Sequence, residues 1–307
     1  MGLRIRTNIQ SLTAQRNLLD STNKTSQHMQ RLASGYRINK AADDAAGLAI
    51  AESLKADLRS MAQARRNAND GVSLLQVAEG GLDEINNIMT RLRELSTQAA
   101  SDTIGSRERQ YLNLEFMQLK DEVDRIAIST EFNGTRLLVG NAPMDPQIMA
   151  EHNYSPLEIQ VGKDYLSGPD SLDAPNPVNI IRFDFRGIVA LTGGENGLGI
   201  GSTQDPEGSK VDTKVSAQTS IATLDDAITK VSSYRAFLGS MQNRLISTDR
   251  NLAIGMENLS AAKSRIQDAD FAYETAEYTQ ASILQQAGVS VLSQANQMPQ
   301  VVLKLLQ

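Results

Sequence analysis

LDDAITKVSSYRAFLGSMQNRLISTDRNLAIGMENLSAAKSRI, residues 224–266, decides the fold. Leu224, Val231, Leu238, Leu245, Leu252, Leu259 and Ile266 recur every seven residues, with Ile221, Ile228 and Met256 in companion positions. A seven-residue apolar repeat held over that length predicts a long helix packed in a coiled-coil-like bundle. These seven positions form the predicted seam of a helical rod.

The rest of the chain supplies partners for that helix. In the N-terminal half Leu75, Ala78, Leu82, Ile85, Met89 and Leu92 keep a 3,4 spacing, and after a break near Gly105 so do Leu112, Phe116, Leu119, Val123 and Ile126. Each series is one apolar helix face, with Gly80–Gly81 as a soft spot inside the first. Proline marks the limits of the helical arms: none of the eight occurs before Pro143, six lie between Pro143 and Pro177, and Pro206 and Pro299 complete the set. Because proline breaks helix interiors, two helical arms flank an irregular centre. In that centre PLEIQVG (residues 156–162) and NIIRFDF (residues 179–185) alternate with period two, placing Leu157, Ile159 and Val161, then Ile181, Phe183 and Phe185, in phase. Short strands or hairpins are expected there, as a small β element on the side of the rod.

Both ends carry a further stripe. Leu284, Val291, Ala295, Met298, Val302 and Leu305, with Gly288 in the remaining slot, follow a 4,3 spacing, and Lys304 is the only charge from Tyr278 to Gln307. At the other end Ile5, Ile9, Leu12 and Leu19 form a stripe able to face the C-terminal one. Isolated helices with so weak a seam are marginal in water, so packing against neighbours is expected to order them. The apolar phase runs through Pro299, which predicts either a kink or a new turn there.

Composition narrows the function. A net charge of −6 opposes nonspecific nucleic-acid binding, which needs a basic field. Six Phe, seven Tyr and no Trp among 307 residues suit an elongated protein built from aliphatic seams better than a compact globule. Zero cysteines exclude disulfides and thiolate metal sites. The N-terminus, MGLRIRTNIQSLTAQRN, lacks the apolar core of a signal peptide, so export would use another route.

Chemical motifs are missing as well. His28 and His152 stand in no metal-ligand spacing, and Glu151–His152 reads as a solvated loop pair. The glycine stretch GGENGLGIG, residues 193–201, has neither the P-loop pattern nor a βαβ context and reads as a flexible turn or hairpin loop. No catalytic, cofactor or metal site is expected.

Longer motifs bring a family into view. RLASGYRINKAADDAAGLAIAESLKADLRSM (residues 31–61), EGGLDEINNIMTRLRELSTQAA (79–100), TEFNGTRLL (130–138) and SRIQDADFAYETAEYTQASILQQAGVSVLSQANQMPQ (264–300) resemble the signatures of bacterial flagellins. The resemblance covers about residues 1–140 and 215–307 in the order that family requires. It implies a structural subunit of the flagellar filament, self-assembling into a helical homopolymer. It also implies an extracellular location, reached through the flagellum's own export channel without a cleaved signal peptide. The implied partners are an export chaperone, filament cap and hook-junction proteins, and the host flagellin-sensing Toll-like receptor. Receptor contact would fall on Arg91, Leu95 and Glu115, supplying a cationic fork, an apolar anchor and a carboxylate.

The expected fold is therefore mainly α: an elongated antiparallel helical rod with coiled-coil-like terminal helices and a small central β-hairpin region. Residues 1–36 and 268–307 are expected to form the filament core, 37–42 a linker, 43–140 with 210–267 the rod domain, and 141–209 a short variable region without large outer domains. Competing readings are a hook–filament junction protein of the same superfamily and a membrane-active amphipathic protein. Seven Gln and one Asn from residue 280 onwards oppose a membrane span.

Overall fold

A computed structural model describes residues 8–140, 156–163, 179–194, 197–203, 205 and 208–305, with side chains described as far as residue 297. Five helices dominate it: α1 (Ile9–Ser34), α2 (Ala45–Ala99), α3 (Ser106–Ser129), α4 (Lys214–Gln267) and α5 (Phe271–Leu305). Two small antiparallel hairpins join them, β1 (Glu131–Phe132) with β2 (Thr135–Arg136) and β3 (Leu157–Gln160) with β4 (Ile180–Phe183). The chain divides into two compact units, residues 1–58 with 256–307, and residues 59–255.

In the second unit α2 and α4 run antiparallel. Their ion pairs show the register, since Arg93 meets Asp225, Asp83 meets Arg235 and Arg65 meets Asp249 at 2.6–3.0 Å. Such exposed pairs add little stability, ~0–1 kcal/mol each, but they fix the alignment of the faces behind them. Those faces bury Leu75, Ala78, Leu82, Ile85, Met89 and Leu92 of α2 and Leu224, Val231, Leu238 and Leu245 of α4, with Phe116 and Val123 of α3. Leu252 is buried towards the end of this unit, whereas Leu259 and Ile266 belong to the other unit and are half-buried.

The glycine pair in α2 leaves the helix unbroken. A methyl group on Gly81 would stand 2.6 Å from Thr130 Oγ1 and 2.9 Å from Leu138 Cδ1, while nothing lies within 4 Å of one on Gly80. Gly81 is thus a point of close approach to the segment after α3, not a soft spot. The β1–β2 turn takes Asn133 (φ 50°) and Gly134 (φ 77°), the two positive φ angles that a tight hairpin turn of the mirror-image type demands.

The described parts of the central region belong to the core. Ile181 and Phe183 pair in register with Ile159 and Leu157, and Val161, Ile188, Ala190, Leu198 and Ile200 are buried in the same cluster. Phe185 departs from the expected strand, because Asp184 ends β4 by accepting the Arg186 N–H and starting a single 3-10 turn. Of the two alternatives for the glycine stretch, its described residues follow the hairpin-like one. Leu198 and Ile200 bond back to Leu191 and Thr192, and Lys120 Nζ, fully buried in the apolar stripe of α3, donates to the carbonyls of Ile200, Ser202 and Ser209 at 3.3–3.5 Å. Burial pushes the Lys120 pKa down. Asp124 accepts from the N–H and hydroxyl of Thr192, both at 2.7 Å, so a polar cluster on α3 holds the stretch down.

In the first unit α1 ends at Gly35, whose φ of 72° lets its N–H reach the Arg31 carbonyl. The chain then clasps the α4–α5 junction: Arg37 N–H donates to Gln267 O at 2.7 Å and Ala269 N–H to Gly35 O at 2.9 Å, with Ile38 buried beside them. Asp44 accepts from Gly47 N–H at 2.9 Å and Asp270 from Ala272 N–H at 2.9 Å, capping α2 and α5 at their N-termini.

Candidate functional site

α1 and α5 form an antiparallel pair whose seam is made of small side chains. Along α1 Ser11, Ala14 and Ser21 are buried, with Leu18, Thr25 and His28 half-buried in the same 3,4 phase. Along α5 the buried positions are Glu274, Ala281 and Ala295, with Gly288 completing a seven-residue repeat. A methyl group on Gly288 would meet Leu18 Cδ1 at 3.4 Å, so the backbones approach closely at that point. Ser21 Oγ donates to Ala281 O at 2.9 Å and Ser11 Oγ to Asn296 Oδ1 at 2.8 Å.

This arrangement overturns the expectation that the two apolar stripes face each other. Ile9, Leu12, Leu19, Leu284 and Val291 are each 55–65% exposed, and among the described positions of the predicted stripe the small ones, Gly288 and Ala295, enter the seam. The physical reason is size: small residues let two backbones draw together, which the bulky stripe would hold apart. Ile9 and Val291 instead flank one surface groove between the helices, while Leu284 and Ile283 lie on an apolar strip of α5 that starts at Ala272. Ile5 lies outside the described residues, and Met298, Val302 and Leu305 lie beyond the last described side chain. α5 itself continues through Pro299 to Leu305.

The seam has a charged anchor that the sequence reading missed. Glu274 is buried, and its carboxylate accepts from Arg31 Nη1 at 3.1 Å and lies 2.5 Å from His28 Nδ1. Arg31 Nε is buried without a partner. A clue was available: Glu274 shares the seven-residue phase of Ala281, Gly288 and Ala295. His28 thus has a structural partner, while Glu151 and His152 lie outside the described residues.

The predicted receptor patch divides. Arg91 Nη2 donates to Glu115 at 2.9 Å and Nη1 to Glu94 at 3.1 Å, all on the exposed side. Leu95 is only 1% exposed and sits in the core of its unit, so it offers no surface anchor in the folded chain. The family resemblance places it in the patch, but here it belongs to the buried apolar cluster of its unit. Among the described residues no cluster of three or more ligating side chains could hold a metal, and no helix is long and apolar enough to cross a membrane.

Comparison with known proteins supplies the family. The model for the bacterial flagellin N-terminal helical region matches residues 5–142, and that for the C-terminal helical region matches residues 221–306. The chain belongs to the bacterial flagellin family. Flagellin of Halalkalibacterium halodurans is 39% identical over 300 residues, covering 98% of each chain. Flagellin of Bacillus subtilis is 38% identical over 318 residues, covering 99% of this chain and 100% of its own. A solved Bacillus cereus flagellin is 29% identical, covering 61% of this chain and 88% of that one with a TM-score of 0.44. As a flagellin, the chain is a structural subunit of the extracellular flagellar filament.

Proposed function

We propose that the outward faces of α1 and α5 are the surfaces through which this flagellin polymerises. The observation that carries this reading is the inversion of the pair, with small side chains in the seam and large apolar ones outside. Ile9, Leu12, Leu19, Ile283, Leu284, Val289 and Val291 each retain more than half of their exposure. Covering the remainder of each is worth ~1 kcal/mol, so these seven side chains contribute about 7 kcal/mol per subunit to assembly. A subunit that buries this face against a different surface of the next copy makes head-to-tail contacts, and these grow into an open helical polymer. The role is structural rather than catalytic.

In the same reading residues 1–36 and 268–307 form the filament core, 43–140 with 210–267 the rod, 37–42 the linker between them and 141–209 a variable region. Before assembly, an export chaperone covers the apolar strip of α5, and the subunit leaves through the flagellar export channel without a cleaved signal peptide. Cap and hook-junction proteins bound the polymer at its ends. Arg91 and Glu115 remain the receptor-facing pair, now without Leu95. Deleting Leu284–Gln307 is expected to leave a helical, unassembled chain, and Leu284→Gln with Val291→Gln to raise the critical concentration about tenfold or more. Normal filaments by electron microscopy at the parent's critical concentration refute the proposal.

A further inference from the structure

Pro299 removes a backbone donor from α5 less than two turns before its C-terminal end. In an α-helix the N–H of residue 299 would pair with the carbonyl of Ala295, and proline has none to offer. Yet α5 runs unbroken from Phe271 to Leu305. Ala295 is buried under α1, where water cannot readily take the missing donor's place. The donor comes from the other end of the chain: Asn8 Nδ2 donates to Ala295 O at 2.8 Å.

The same side chain has a second task. Asn8 is the N-cap of α1, and its Oδ1 accepts the Ser11 N–H at 3.1 Å. Its backbone carbonyl accepts the first helical bond, from Leu12 N–H, at 3.2 Å. One amide therefore starts α1 with its oxygen and fills the gap in α5 with its nitrogen. Ser11, one turn along, secures the neighbouring Asn296. Aspartate could perform the first task but not the second, because an ionised carboxylate has no hydrogen to give. Glutamine carries the amide one carbon too far to cap its own helix in this way.

We infer that Asn8 and Pro299 are a matched pair that sets the register of α1 on α5, with Asn8 the positioning residue for assembly. Pro299 leaves the Ala295 carbonyl without its intrahelical donor, and Asn8, the N-cap of α1, supplies one. Sliding α1 by one turn would leave that carbonyl unpaired and move Ile9 away from Val291. The register at the far end is held by Glu274, 21 residues before Ala295 and facing His28 and Arg31. Two polar fixtures thus bracket a seam of small residues that has little shape of its own. This inference rests on the polymerisation reading only for its effect on assembly, since the register itself is a property of the single chain.

The test is a mutant cycle in the full-length chain: parent, Asn8→Asp, Pro299→Ala, and both together. Hydrogen exchange of peptides covering residues 9–14 and 289–297 is measured on free and salt-assembled protein, alongside the critical concentration. Asn8→Asp alone is expected to speed exchange in both peptides about tenfold, because it retains the cap and loses the donor. With Pro299→Ala the backbone N–H at 299 returns to Ala295, and Asn8→Asp then changes exchange by less than twofold. An Asn8→Asp effect of equal size in both backgrounds overturns the inference, as does no effect in either. Uniformly fast exchange of both peptides in all four proteins, free and assembled, also overturns it. Exchange that follows the expected pattern while the critical concentration stays constant supports the register and sinks the polymerisation reading instead.

Discussion

Glu274→Ala is the most informative single change in the first unit. The carboxylate is 3% exposed, and its partners Arg31 and His28 are 21% and 13% exposed. Removing one member of a fully buried ion pair costs about 3–5 kcal/mol, chiefly because the surviving charge is stranded. Here Arg31 keeps some access to water, so a loss of about 2–3 kcal/mol is expected. Arg31 Nε already lacks a partner, which leaves little slack for rearrangement. Read by hydrogen exchange in peptides spanning α1 and α5, that loss is an acceleration of roughly 30- to 150-fold. A control separates charge from volume: His28→Leu, Arg31→Met and Glu274→Leu together leave no charge to strand and should recover half or more of the loss. Exchange within threefold of the parent for Glu274→Ala would falsify the anchor. A triple variant as weak as the single one would show that packing volume, not charge, sets the cost.

The two adjacent glycines of α2 should respond with opposite signs in urea unfolding of the second unit. Gly81→Ala drives a methyl into Thr130 and Leu138 and is expected to destabilise by about 1–3 kcal/mol, whereas Gly80→Ala meets nothing and should stabilise by ~1 kcal/mol through helix propensity. Two substitutions of the same sign would refute the assignment of Gly81 as a contact point. Asp43 provides a pH signature, since the N–H groups of Lys40 and Asn39 hold its carboxyl below the ordinary value of 3.8. Its contribution is full above that value and is lost as pH falls through the lower, folded one, so Asp43→Asn should flatten the acid limb of stability. An unchanged acid limb would remove the loop from the list of acid-sensitive elements.

Long regular repeats were legible in the sequence, and close contacts were not. The α4 heptads identify their helix because seven-residue spacing and bulky apolar side chains coincide from Leu224 through Leu252. In α5 the stripe read from the sequence runs through large positions, Leu284 and Val291, and small ones, Gly288 and Ala295, as one face. A hydrophobicity template groups the two sets, but backbone approach keeps only the small one, which continues the seam from Glu274 and Ala281. Lys120 escaped notice for a related reason. It occupies a core slot between Phe116 and Val123, and only the three carbonyls gathered around it, brought from residues 200–209, explain why a charge belongs there. Leu95 shows the converse error, a surface role carried over from the family resemblance to a residue that the fold buries.

The inverted pair also bears on why a polymer subunit should be built this way. Ser, Ala and Gly bury little apolar area, so the α1–α5 seam contributes less stability than its length suggests. What it supplies is alignment, through Asn8 at one end and the Glu274 cluster at the other. A seam of Leu and Ile would join the two helices firmly in the single chain, but it would leave nothing apolar for the next copy to cover. Weak cohesion within the subunit and strong cohesion between subunits therefore draw on the same limited set of large side chains. Placing that set outward makes full burial conditional on a neighbour, and polar contacts keep the outward faces in register until the neighbour arrives.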